Sequence, residues 1–168
     1  MNKIKLKVRI IKIIMKIIAN NRKATFHYEL LNTLEAGIVL TGTEVKSLRQ
    51  GRMSLSDAYI TNLANQDHEL FILNVHIDEY AQAKYFTHVP KRPRKLLLKK
   101  RESIKWIQAI RQKGMTIIPL SMYFNNKNIV KLNIALCKGK NVIDKRKTIQ
   151  DREWKREESK ILKRNRSF

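Results

Sequence analysis

IPLSMYFNNKNIVKLNIAL, residues 118–136, is the stretch that decides the fold. Ile118, Leu120, Met122 and Phe124 alternate with other residues, Asn125 to Asn128 form a polar turn, and Val130, Leu132, Ile134 and Leu136 alternate back. Successive side chains on a strand point to opposite faces, so this pattern predicts a β-hairpin with one apolar face. Pro119 lacks an N–H and points to an edge position for its strand.

Outward from the hairpin, Ser103 to Lys113 reads as a helix. Ser103 is its expected cap, Ile104, Ile107 and Ile110 its buried stripe, and Gly114 its stop. Trp106 is expected to pack this helix on the sheet. Further upstream, Phe26 to Leu31, Ala36 to Thr41, Ala58 to Leu63 and Glu69 to Ile77 read as strands. Thr43 is the expected cap of a short helix over 44–49, with Val45 and Leu48 inward and Gly51 after it. Residues 84–95, KYFTHVPKRPRK, read as an exposed basic loop broken by Pro90 and Pro93. Together, residues 20–137 form the expected folded body: mainly β, a small OB-like antiparallel β-barrel with two or three packed helices.

Two segments flank that body. Residues 138–168 carry twelve Lys and Arg against five Asp and Glu, with few large apolar side chains. Such a tail buries too little surface to offset its ordering entropy, so it is expected to be disordered or helical and to fold on contact. Residues 1–19 form a basic and apolar N-terminal extension. As a helix it could lie on a membrane surface; lysines interrupt its apolar run and argue against a signal peptide. Met15 offers an alternative start, and residues 1–14 would then not be translated. Losing Lys3, Lys5, Lys7, Arg9 and Lys12 would lower the charge from +22 to +17.

The charge is the first functional statement. In 168 residues, 36 Lys and Arg face 14 Asp and Glu. This density destabilises a compact chain by self-repulsion unless a polyanion relieves it, and nucleic acid is the leading partner class. No stable membrane association is expected, because no apolar run reaches the roughly 18 residues of a span. The single cysteine, Cys137, excludes an internal disulfide framework and fits a reducing, cytoplasmic compartment. It ends an apolar alternation and reads as a small buried hydrophobe.

The motifs of catalysis and metal binding are missing from the sequence. His27, His68, His76 and His88 have no i,i+4 partner, and no C-x-x-C, H-E-x-x-H, G-x-S-x-G or P-loop pattern occurs. His76 with Asp78 and Glu79 reads better as a solvated strand end than as an acid–base pair. No cofactor, metal site or enzymatic activity is expected. What remains is basic residues interleaved with aromatics, which suit phosphate neutralisation and stacking on unpaired bases.

Several motifs in register carry a more specific signal. NRKA at 21–24, LEAGIVL at 34–40, GTEVKSLR at 42–49, RPRKLLL at 92–98, KGK at 138–140 and DKR at 144–146 resemble the SmpB family, the small protein B that binds transfer-messenger RNA (tmRNA). The resemblance runs through residues 21–164. It implies an OB-like barrel that binds the transfer-RNA-like domain of tmRNA. It also implies delivery, with EF-Tu and GTP, to a 70S ribosome stalled on a message without a stop codon. The tail would fill the decoding site and the vacant messenger channel, against small-subunit ribosomal RNA.

By the same resemblance Asn21, Glu35 and Leu97 are expected at the RNA surface. A carboxylate such as Glu35 repels phosphate but accepts hydrogen bonds from base amino groups or a 2′-OH; alternatively it orients an arginine. Lys46, Arg49, Arg92, Arg94 and Lys95 are expected phosphate contacts. In the tail, Asp144, Lys145 and Arg146 match the motif near the decoding centre, Ile161 and Leu162 the apolar pair near the end, and Trp154 lies between. Ile143 stands where the family usually has an aromatic or histidine, so ring stacking is not expected there and apolar contact substitutes only partly. A general single-strand RNA-binding module is the alternative reading, distinguished by equal affinity for most RNAs.

Overall fold

The computed structural model describes residues 16–63, 68–84 and 87–140, together with Trp154, Glu157 and Glu158. Among these, the chain runs β1 Lys16–Asn20, α1 Ala24–His27, β2 Tyr28–Ile38, α2 Gly42–Arg49, β3 Met53–Ser54, β4 Tyr59–Thr61, β5 Phe71–Leu73, β6 His76–Ile77, β7 Arg94–Leu97, α3 Lys100–Ile110, β8 Met115–Phe124 and β9 Val130–Gly139. Residues 16–19, grouped above with the N-terminal extension, therefore belong to the sheet.

The main sheet is antiparallel, in the order β1-β8-β4-β5-β7-β2-β9, and β8 also pairs with β9. That extra pairing turns the sheet back on itself as a barrel-like ring. The ring is thin at one seam, where β4 meets β8 only through Ile60 and Ile117. Register shifts at Ile18, Leu31 and Leu120 bend β1, β2 and β8 and help the ring to curve. A two-stranded β3–β6 pair completes the fold.

Inside lies a core of Ile60, Ile72, Ile77, Ile117, Met122, Leu132 and Ile134, each at most 2% exposed, closed by Leu48 of α2 and Trp106 and Ile107 of α3. A smaller cluster of Ala24, Ile118, Ala135 and Cys137, with Tyr28 and Leu120 packed against it, lies beneath α1. β9 behaves as its alternation predicts, with Val130, Leu132, Ile134 and Leu136 all toward the main core. β8 does not. The extra residue Leu120 reverses the phase, so Ile118 and Leu120 join the small cluster while Met122 and Phe124 join the core. Nor is β8 an edge strand. Pro119 falls in the gap between the pairing of Ile117 with β4 and that of Ser121 with β1, where that side of the ladder has no call for an N–H.

Two helix starts differ from the sequence reading. Thr41, not Thr43, caps α2, and its N–H donates to Glu44 Oε2 at 2.7 Å. α3 begins at Lys100, with the Lys99 N–H donating to Glu102 Oε2 at 3.2 Å; Ser103 is instead buried and donates its hydroxyl to the His68 carbonyl. Both are capping-box positions, where an acid at the third helical residue reaches back to the cap. Upstream, the two expected strands between Phe26 and Thr41 are one turn of helix, α1, followed by the single long β2.

Candidate nucleic-acid interface

The ring places one register row across four strands. Leu97 of β7 lies opposite Gly37 of β2, Gly37 opposite Lys131 of β9, and Lys131 opposite Tyr123 of β8. Glu35 stands two residues from Gly37, on the same face of β2. Leu97 is 55% exposed while its neighbour Leu96 is buried, so the LLL run alternates across β7 instead of all entering the core. Gly37 makes room for this arrangement: a Cβ there would lie 3.1 Å from Leu97 Cβ.

This outer face is the floor of a groove of about 790 Å³, walled by His68, Glu69 and the start of α3. Three expected contacts, Glu35, Lys95 and Leu97, line it together with Lys99, Lys100 and Lys131. The carboxylates are engaged. Glu69 pairs with Lys95, Glu102 accepts from the Lys99 N–H, and Glu35 accepts from the Tyr123 hydroxyl while its other oxygen lies 3.6 Å from Lys131 Nζ. Among the described residues Glu35 is partnered by Tyr123 and Lys131 and by no arginine. Burial, then the hydrogen bond and charge of Glu35, push the Tyr123 phenol well above its ordinary value. It therefore stays a donor. An exposed leucine among several lysines and a half-exposed acceptor suit an unpaired nucleotide better than a regular duplex.

The other expected contacts lie elsewhere. Asn21 borders a separate cleft of about 550 Å³ with Lys23, His27, Tyr28 and Tyr59. Its Nδ2 donates to the carbonyls of Pro119 at 3.2 Å and Leu55 at 3.4 Å, bracing β8 at its bulge. Lys46 is exposed on α2 with Nζ 5.2 Å from the Tyr80 ring centroid, and exposed Arg49 borders a third cleft with Lys16, Phe124 and Asn128.

Arg94 corrects the expectation of an exposed basic loop. It is fully buried: Nε donates to Glu44 at 2.8 Å, Nη1 to the carbonyls of Val75 and Arg92, and Nη2 to that of Pro90. A guanidinium engaged in this way is not a phosphate contact. Arg92, 29% exposed, takes the other side of Glu44 through Nε at 2.8 Å and Nη2 at 2.6 Å. Burial alone would raise the Glu44 carboxyl; the hydrogen bond of Arg92, the N–H of Thr41 and the charge of Arg94 outweigh it and hold the carboxyl below its ordinary value. Glu44 and Tyr123 are the residues that sequence reasoning missed. The T-x-x-E spacing from Thr41 was a usable signal for the first; nothing local points to the second.

His76 and Asp78 stand 3.2 Å apart and about half exposed, as a solvated pair. Cys137 is buried, and desolvation pushes its thiol up to about 11, away from nucleophilic use. Among the described residues no cluster of His, Cys, Asp or Glu could hold a metal, and no helix is long and apolar enough to cross a membrane. Trp154, Glu157 and Glu158 are helical, with Trp154 72% exposed. Ile143, Asp144, Lys145, Arg146, Ile161 and Leu162 lie outside the described residues, as does the extension before Lys16.

The sequence profile of the SmpB protein family matches residues 18–164. The chain belongs to the SmpB family. The SsrA-binding protein of Agrobacterium fabrum is 48% identical over 154 residues, 92% of this SmpB chain and 94% of that protein. That of Allorhizobium ampelinum is 50% identical over 148 residues, 88% of this chain and 92% of the relative. Among solved structures, a chain from work described as "tmRNA-SmpB: a journey to the center of the bacterial ribosome" is similar at 40% identity with a TM-score of 0.61, covering 74% of this chain and 85% of that one.

Proposed function

We propose that this SmpB protein binds the transfer-RNA-like domain of tmRNA, the SsrA RNA, and delivers it with EF-Tu and GTP to stalled ribosomes in the bacterial cytoplasm. It acts as a scaffold and catalyses no reaction. The observation that carries this reading is the single groove in which Glu35, Lys95 and Leu97 converge, on a chain of net charge +22. Lysines neutralise phosphate, Leu97 packs on an unstacked base or ribose, and Glu35 accepts from base or sugar donors. Lys46, Arg49 and the exposed side of Arg92 add phosphate contacts outside the groove, and Asn21 supports the site by bracing β8. The body, residues 20–137 and the end of β9, binds tmRNA. The tail from Lys140 onward, with Ile143, Asp144, Lys145, Arg146, Trp154, Ile161 and Leu162, occupies the decoding site and messenger channel.

Capture of RNA from cell extract on the purified chain, followed by sequencing, tests this. Enrichment of tmRNA over transfer RNA and unrelated hairpins at physiological salt is expected. Equal recovery of all three would leave only a general RNA-binding module.

A further inference from the structure

We infer that Tyr123 is a positioning residue for RNA recognition, acting through its hydrogen bond to Glu35. The inference rests on the reading that the groove holds tmRNA. Tyr123 is separated from Glu35 by 88 residues of sequence, yet its hydroxyl donates to Glu35 Oε2. The two belong to β8 and β2, with β9 between them. Strands lie about 4.8 Å apart, so the contact bridges roughly 10 Å of backbone and needs a side chain as long as tyrosine. Met122 and Phe124 enter the core on either side, which turns the Tyr123 ring to the outer face, where it is only 7% exposed. The ring is therefore packed, while the Glu35 side chain it holds is 49% exposed.

The chemistry follows from that asymmetry. A glutamate on a sheet surface samples several rotamers, and an RNA donor must select one at an entropic cost. Tyr123 fixes one oxygen and Lys131 Nζ stands 3.6 Å from the other, which sets the direction of the remaining lone pairs. Glu35 meets RNA already oriented, with part of its acceptor capacity toward the groove. Tyrosine supplies this without placing a second negative charge near phosphate, because its phenol remains protonated.

A double-mutant cycle in tmRNA affinity tests the idea, using Tyr123→Phe, Glu35→Ala and the pair in the full chain. Phenylalanine fills the same space, and melting curves verify the fold. Tyr123→Phe is expected to weaken binding about 5- to 10-fold in the parent, the scale of one ordinary hydrogen bond because orientation and not the Glu35 charge is lost, and to have no further effect beside Glu35→Ala. Equal weakening in both backgrounds, or none in the parent, overturns the inference while leaving the groove intact. If Glu35→Ala itself leaves affinity unchanged, the groove reading falls as well. NMR side-chain couplings of Glu35 in the free protein provide a readout that needs no RNA. They should report one rotamer in the parent and averaging in Tyr123→Phe; an unchanged single rotamer overturns the positioning role.

Discussion

Replacing Glu44 with glutamine removes one charge and leaves the shape. In the parent, Glu44 accepts from Arg92 Nε and Nη2, Arg94 Nε and the Thr41 N–H, and both it and Arg94 are fully buried. Glutamine offers one acceptor oxygen and turns an NH2 group toward donors, so at least one donor loses its partner. Arg94 keeps its three backbone carbonyls but loses its counter-charge in a fully buried position. Leaving one member of a buried pair uncompensated costs about 3–5 kcal/mol. That is a large part of the roughly 5–15 kcal/mol that stabilises a domain. At about 2–4 °C per kcal/mol for a chain near this size, the melting temperature of Glu44→Gln should fall by roughly 6–20 °C. The effect also depends on pH. The folded carboxyl titrates below its ordinary 4.5, so its contribution is present above that value and is lost as pH falls through the folded pKa. Urea unfolding at pH 7 and at successively lower pH should therefore show the gap between parent and Glu44→Gln narrowing below pH 4.5. A gap under about 1 kcal/mol at pH 7, or one that stays constant into acid, would refute the reasoning.

Gly37→Ala should push Leu97 aside by a few tenths of an ångström and weaken tmRNA binding severalfold with a smaller change in melting temperature; affinity equal to the parent's in a filter-binding assay would show that β7 yields without cost. Cys137 should resist alkylation in the native protein and react when urea unfolds it, as read by mass spectrometry, since burial has raised its thiol to about 11. Truncation after Lys140 should keep tmRNA affinity and abolish peptide tagging on stalled ribosomes; loss of both together would contradict the division between body and tail. Truncation after Leu136 should lose stability as well, because Cys137, Lys138 and Gly139 still pair with β2.

Legibility in the sequence followed the range of the interactions. β9 was readable because its alternation is unbroken and its two partners, β2 and β8, pair along both of its edges. β8 was half readable: a bulge at Leu120 is imposed by pairing with β1, β4 and β9, and no local pattern announces it. The basic run from Lys91 to Lys95 shows the same limit. Arg92, Arg94 and Lys95 are alike as charges, yet β7 turns Arg94 inward onto Glu44 and Lys95 outward into the groove. The family resemblance located Glu35 and Leu97, but only the register row across β7, β2, β9 and β8 brings them together, and the Tyr123 contact emerges from that row alone.

The closure of the ring by β9 bears on the protein's own synthesis. The groove takes Leu97 from β7, Glu35 from β2 and Lys131 from β9, with Tyr123 of β8 bonded to Glu35 from beneath, and β2 finds its long partner only when the last of these strands has left the translating ribosome. Pairing between distant parts of a chain is slow and cannot begin early. A copy made from a broken message and cut short before residue 130 would therefore lack β9, the strand that closes the ring and adds Lys131 to the groove, and would not assemble the groove in its complete form.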